Sequence, residues 1–385
     1  MVRMSDILKK AKGIKGEEEA KPAQPQKPAP REDIPEGPKK KAAPPPKPSA
    51  FKKAIPIKEK TEEEAPKLSE VSISSIVRKE SRAASGDESV KLYEEAVSLM
   101  EELLANLNPN TIDPEKIAAV IEKIVNQLNR NHKKLIILTF NEHSTCLPRH
   151  LVNVCIYAVE IGVGLDYDKA RLTELGMSAI LHDIGMKKYM NLARQPRKLD
   201  AKECEEIKTH PAAGAQILAN ITGLSKVIAQ AVYQEHERVN GKGYPKGLKD
   251  KAISEYARII GLVDVYSAMT HPRPYRNNDC ISPLKTVQEI LKQKDVFDHK
   301  ITKIFLERLG FFPAGSFIEL NTKEVCHVVK TNDRYPMRPV VKVLYDSDGN
   351  SITEEKTIDL AAQYNIYITR GECSKKKLTK NIKVS

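Results

Sequence analysis

From Ser89 onward the apolar positions fall into step with a helix. Leu92, Ala96, Leu99 and Leu103 recur at spacings of three and four, which places them on one face. After the break NLNPNTIDP, Asp113 can cap a second helix with Pro114 at its first position, and Ile117, Ile121, Ile124 and Leu128 form its apolar stripe. From residue 150 to about residue 310 the pattern reads as almost entirely helical. Within it, Asp200 stands three residues before Glu203, the spacing of a capping box, and the pattern continues through Ile207, Ile217 and Leu218. Pro211 can kink that element or begin a new turn. Further on, ISEYARIIGLVDVYSAMT is largely apolar but interrupted by Asp264. The last part of the chain changes period: VCHVVK, VVKVLYD and NIYITR are short β-branched runs, with NDRYP and SDGN among the segments between them, which predicts a small β appendage.

The start of the chain has no such pattern. Residues 12–88 hold twelve of the 24 prolines, mixed with Lys, Glu, Ala and Ser. Such sequence buries too little to offset its ordering entropy, so a disordered tail is expected. The expected organisation is a Pro/Lys/Glu-rich tail over 1–88, a helical module or flank over 89–140, a main helical domain over 141–311, a β-containing appendage over 312–372 and a basic tail over 373–385. The two helices before the main domain leave a homodimer open, and the tail leaves open a docking arm for a signalling protein.

The formal charge of +12 attracts anions without choosing among nucleotides, nucleic acid, lipid and acidic proteins. Neither tail holds an ordered reader motif or a basic face interleaved with aromatics, so no specific nucleic-acid partner is expected. The six cysteines form no C-x-x-C pair, which fits reduced thiols. With no signal-peptide pattern and no apolar stretch long enough for a membrane span, a cytoplasmic protein is expected.

Ionisable groups are costly in apolar helices unless they have partners. Yet His150, His182, Asp183, His210, His236 and Asp264 follow one another at intervals of 32, 1, 27, 26 and 28 residues. That rhythm fits roughly one polar residue per helix, converging in the middle of a bundle. Imidazole nitrogen with carboxylate oxygen suits Fe, Mn, Zn or a mixed centre. The adjacent pair His182–Asp183 can reach one shared centre from a helix end, and the two oxygens of Asp183 can bridge two metals. Two ions about 3.5–4 Å apart can bind phosphate oxygens and supply a bridging hydroxide. His132, His143, His271, His299 and His327 read as ordinary residues.

These blocks resemble the HD-GYP family, a bacterial branch of the HD phosphohydrolases whose characterised members degrade the second messenger cyclic di-GMP. The resemblance covers about Arg149–Phe311 through HDIG at His182–Gly185, KTHPAAG at Lys208–Gly214, HERVNGKGYP at His236–Pro245, ARIIGLVDVYSAMT at Ala257–Thr270 and RPYR at Arg273–Arg276. It extends into the appendage through YPMRPVVKVLYD. It implies an HD-type helical bundle and two divalent transition metals, Fe or Mn, with His150, His182, Asp183 and Asp264 on one. Asp183, His210, His236 and the residue before His236 would hold the other; the family commonly has histidine there, and this chain has Glu235. The family's HDIGK lysine is replaced by Met186, leaving Lys187 one step beyond as a substitute. Cys146 stands where some relatives carry a glutamate associated with a third metal, so two metals are expected.

Arg273 and Arg276 are expected to contact substrate phosphate, and Lys208 either touches substrate or faces solvent. Tyr244, in the glycine-rich turn, either stacks on guanine or packs; Glu237 fixes that loop. The expected reaction is hydrolysis of cyclic di-GMP to pGpG, with GMP as a further product. The alternatives are a weak or silent cyclic di-GMP receptor, motivated by Glu235 and Met186, and a phosphohydrolase for another nucleotide.

Overall fold

A computed structural model of the chain describes residues 87–372 apart from 142–145, 196, 273–279, 333 and 353. The expectations for the tail over residues 1–86, for Glu142, His143, Arg273 and Arg276, and for the basic end over 373–385 lie outside the described residues.

The first helix, α1 (Glu88–Ala105), starts where the Asp87 side chain accepts a hydrogen bond from the Ser89 amide. Its stripe of Leu92, Ala96, Leu99 and Leu103 is buried. The second, α2 (Pro114–Asn141), starts on Asp113, whose Oδ1 accepts from the amides of Glu115 and Lys116 at 2.9 and 3.2 Å. Capping of this kind satisfies donors that the first helical turn leaves over. Ile117, Ile121, Ile124 and Leu128 are buried as the pattern requires. At Asn131 the backbone leaves helical angles and α2 kinks.

At the middle lies α3 (Leu147–Gly164), buried on nearly every side. A helix apolar all round has to be enclosed. It packs against α1, α2, α4 (Lys169–Ile180), α9 (Glu255–Thr270) and α11 (His299–Arg308). Its one internal carboxylate, the fully buried Glu160, is paired with Arg308 at 2.6 Å. The chain then leaves α-helical geometry: His182 and Asp183 follow the end of α4, and a 3-10 turn over Ile184–Tyr189 leads into the short α5 (Met190–Ala193).

Asp200 and Glu203 form the capping box that starts α6 (Ala201–Ile207). Pro211 sits in the first turn of α7 (His210–Ala219), so it begins a helix instead of kinking one. Then come α8 (Lys226–Gln234), the glycine-rich turn, α9, α10 (Pro283–Lys292) and α11.

The C-terminal segment is one antiparallel sheet of β1 (Phe317–Leu320), β2 (Val325–Lys330), β3 (Val340–Tyr345), β4 (Thr357–Asp359) and β5 (Ile368–Glu372), in the order β4-β3-β2-β1-β5. Ile318 lies opposite Cys326, and Cys326 opposite Val343. These side chains, with Val328 and Val341, turn inward and are continuous with the helical core. The runs visible in the sequence became β2, β3 and β5. The strands β1 and β4, with 4 and 3 residues, are too short for an alternation to stand out.

Cys146, Cys155, Cys204 and Cys326 are free thiols, whereas Cys280 is disulfide-bonded, so the expectation of reduced thiols throughout does not hold at that position. Among the described residues no helix is long and apolar enough to cross a membrane.

The α2–α4 contact depends on a missing side chain. A Cβ on Gly176 would run into Ile121, which is fully buried. Ile121→Ala is therefore expected to lower unfolding free energy by about 2–5 kcal/mol. Urea denaturation followed by circular dichroism measures this, and a change under about 0.5 kcal/mol, the range of neutral surface substitutions, would show that this contact does not hold the helices together.

Candidate metal centre

Four imidazoles and three carboxylates meet where α3, the end of α4, α7, the end of α8 and α9 come together. His150 comes from the first turn of α3 and Asp264 from the middle of α9, and His150 Nε2 lies 3.1 Å from Asp264 Oδ1. His182 joins them, with Nε2 3.9 Å from the same oxygen. On the other side, His210 Nε2 lies 3.1 Å from Asp183 Oδ1 and 3.6 Å from Glu235 Oε1. His236 Nε2 faces His210 Nε2 at 3.1 Å. The ligand atoms thus form two groups, His150, His182 and Asp264 in one, Asp183, His210, Glu235 and His236 in the other, with the atoms of each group within 4.8 Å of one another. Asp183 joins the two groups, because its Oδ2 lies 3.8 Å from His150 Nε2 and 3.7 Å from His182 Nε2.

Local folding sets the aim of each ring. The Nδ1–H of His182 donates to the Ala179 carbonyl at 2.8 Å, and that of His210 donates to the Ile207 carbonyl at 2.6 Å. A carbonyl can only accept, so Nδ1 carries the proton and Nε2 points into the centre, as a metal-binding imidazole requires. His150 Nδ1 shares a hydrogen bond of 3.1 Å with Ser267 Oγ, one turn along α9 from Asp264. Glycines permit the close approaches. A Cβ on Gly185 would strike the His210 carbonyl oxygen, and one on Gly261 would strike the carbonyl oxygen of Glu235.

The donor set fits a pair of cations. His182 Nε2 and both oxygens of Glu235 are buried with no hydrogen-bond partner among the described residues. Buried polar atoms in this state are costly, and a cation is the partner that would satisfy nitrogen lone pairs and carboxylate oxygens together. The electrostatics agree. Burial opposes charge on Asp183, but His182, His210 and His150 outweigh it and hold its carboxyl well below the usual range. Burial likewise opposes charge on Asp264, and His150, His182 and His236 hold it low. At His210 burial disfavours the imidazolium, yet Asp183 and Glu235 push its pKa up to about 11. His236 goes the other way, because burial lowers its pKa. Without a cation, the proton on His210 is the positive charge that the carboxylates draw in.

The rim is less fully assembled. Lys187 is exposed on the 3-10 turn, and Met186 packs partly buried against the core. Tyr244 stacks on His236, with centroids 4.7 Å apart and planes at 25°. The Lys208 ammonium lies 5.9 Å from the Tyr244 ring and 2.5 Å from Glu205. Glu237 accepts from the amides of Lys246 and Leu248 at 2.7 and 2.8 Å, which is the loop-fixing arrangement expected for it.

Sequence reading did not single out Ser267, Arg238 or the glycine contacts. Ser267 carried a signal, since it stands three residues after Asp264 on a helix, whereas Arg238 looked like one more loop charge. Its half-buried guanidinium in fact donates to the Glu235 and Glu237 carbonyls at 2.9 and 2.8 Å and braces the turn. His271, expected to be ordinary, is a buried core histidine whose Nδ1 and Nε2 face the carbonyls of Ser267 and Thr139 at 2.9 and 2.7 Å. Beside it Asn153 Nδ2 lies 3.2 Å from the ring, and Asn153 Oδ1 accepts from the Tyr93 hydroxyl of α1 at 2.8 Å.

A family model described as an HD domain matches residues 98–301, from within α1 to within α11 and including all seven of these candidate ligand residues. The chain belongs to the HD domain family. A second model, a KOW domain associated with HD domain, matches residues 317–380, which takes in the sheet. Relatives of this HD protein include the cyclic di-GMP phosphodiesterase PA4108 of Pseudomonas aeruginosa, 27% identical over 212 residues that make up 55% of this chain and 51% of the relative. The 3'3'-cGAMP-specific phosphodiesterase 3 of Vibrio cholerae is 28% identical over 193 residues, 47% of this chain and 41% of that one. Among solved structures, Bd1817, an HDGYP protein from Bdellovibrio bacteriovorus, aligns with TM-score 0.48 and 16% identity over 60% of this chain and 76% of that one. The chain spans about half the length of the curated relatives it matches.

Cation uptake has to displace the His210 proton. Its pKa of about 11 lies above neutrality, so the proton is bound at neutral pH and competes less as pH rises. Apparent affinity for Mn²⁺ is expected to rise about tenfold per pH unit for each proton displaced, between about pH 6 and about pH 8. Calorimetric titration in buffers of different ionisation enthalpy measures the proton release, and an affinity flat across that range would contradict the competition.

Proposed function

We propose that this HD domain hydrolyses a phosphodiester bond of cyclic di-GMP, releasing pGpG and, if both bonds are cut, GMP. The observation that carries the reading is the meeting of the two ligand groups at Asp183, which has one oxygen towards each. In this reading His150, His182, Asp183 and Asp264 hold one divalent transition metal, and Asp183, His210, Glu235 and His236 hold the other, with Fe or Mn best suited to a donor set of nitrogen and oxygen alone. Such a pair of metals, when bound, supplies Lewis-acid polarisation of the phosphodiester and an activated water at neutral pH.

The protein's own groups then position and exclude. Asp183 and Asp264, held ionised, keep their negative charge for the cations across the neutral range. The bonds from Nδ1 of His182 and His210 to backbone carbonyls keep these rings from turning away. Lys208, Lys187 and Tyr244 are the described groups proposed to meet the dinucleotide, together with Arg273 and Arg276. The names of the relatives support a cyclic dinucleotide and leave two choices of base, since one is a cyclic di-GMP enzyme and another is specific for 3'3'-cGAMP. A cytoplasmic setting belongs to the same proposal.

A second reading, a cyclic di-GMP receptor with little turnover, draws on two side chains. Met186 lies partly buried at the place where the family's lysine is expected, and Glu235 adds a carboxylate to the centre.

An anaerobic time course with metal-replete protein on cyclic di-GMP and on 3'3'-cGAMP tests both readings. The expected outcome is linear pGpG from cyclic di-GMP, slowed by at least about 10³-fold in Asp183→Ala, the scale of losing a principal electrostatic group. Tight binding of cyclic di-GMP without product, under the same reduced conditions, would establish the receptor and overturn the enzyme.

A further inference from the structure

Glu235 follows the end of α8 with its side chain fully buried. Its two oxygens face different groups of ligands: Oε1 lies 3.6 Å from His210 Nε2, and Oε2 lies 3.8 Å from His182 Nε2. Asp183 is disposed in the same way, with Oδ1 3.1 Å from His210 Nε2 and Oδ2 3.7 Å from His182 Nε2. Two carboxylates therefore span the same pair of imidazoles in parallel. Asp264 behaves differently, since one oxygen serves both His150 and His182, at 3.1 and 3.9 Å.

The backbone that carries the Glu235 side chain is held in place. Its own carbonyl accepts from Arg238 Nη1 at 2.9 Å and sits against Gly261, where any larger residue would push it away. Among the described residues neither carboxylate oxygen has a hydrogen-bond partner. A buried carboxylate so placed needs positive charge on both sides.

We propose that Glu235 is a second bridging carboxylate, with one oxygen for each of two cations, in parallel with Asp183. This rests on the two-cation reading above and goes beyond it, because a histidine at position 235 would offer its lone pair to one cation only. Two bridges couple the sites, so that loading one prepares the other. The centre becomes one of three carboxylates and four imidazoles, a harder donor set that favours Mn²⁺ and Fe over Zn²⁺.

The test is anaerobic titration of the full chain with Mn²⁺, reading stoichiometry by elemental analysis and coupling by the spin-exchange electron paramagnetic resonance signal of paired ions. Metal-free thermal melts check that each variant folds. Wild type is expected to take up two ions in a single transition with a coupled signal. Glu235→Gln, nearly isosteric, is expected to bind the second ion about 10- to 100-fold more weakly, the range over which metal-site support is commonly lost, and to lose most of the coupled signal. Glu235→His is expected to load two ions in two separable steps with weaker coupling. If Glu235→His loads both in one transition with an unchanged coupled signal, the second bridge is overturned while the two-cation reading stands. If wild type takes up one ion only, the two-cation reading itself falls.

Discussion

Two short hydrogen bonds govern what the centre can do: Nδ1 of His182 to the Ala179 carbonyl, and Nδ1 of His210 to the Ile207 carbonyl. Each carbonyl belongs to the residue three positions earlier, so the bond forms where a helix ends and its last carbonyls lack regular intrahelical partners; the Ala179 carbonyl also accepts from the His182 amide at 3.4 Å. The same bond ties each ring to the helix end and fixes a tautomer. Both rings then present Nε2 inward with no freedom to invert, and the carboxylates have a stationary target. The breaks at the end of α4 and between α6 and α7 are therefore part of the chemistry.

The opposing charges are held by packing. Asp183, Asp264 and Glu235 would not sit together in a helical core without compensation, and the four imidazoles supply it only in part. Close backbone approaches at Gly185 and Gly261 bring α7 and the end of α8 near enough for the compensation to work. A methyl group at either point would widen the centre before it disturbed the hydrophobic core.

Much of this was legible in the sequence, for physical reasons that differ by region. The stripes of α1 and α2 were readable because solvent on one side forces a sharp apolar face, and the Asp113 and Asp200 caps were readable because capping chemistry is local. The candidate ligands His150, His182, Asp183, His210, His236 and Asp264 stood out because ionisable groups interrupt apolar helices. Glu235 was reached through resemblance, and its orientation towards both groups of ligands could not be read, since that depends on Arg238 and Gly261, one of them distant in sequence. Pro211 left two outcomes open until the packing of α7 chose one. The two shortest strands had too few residues to show an alternation.

The Tyr93–Asn153–His271 contacts have a consequence for how the bundle comes apart. Asn153 is buried in the central helix, accepts from the Tyr93 hydroxyl of α1 and lies beside the ring of His271 just past the end of α9. Fraying of α1 would strip a buried amide oxygen of its donor, at about 1–3 kcal/mol. The first described helix and the exit of α9 thus belong to one cooperative unit of local opening, and slow exchange at one end of that unit is shared with the other.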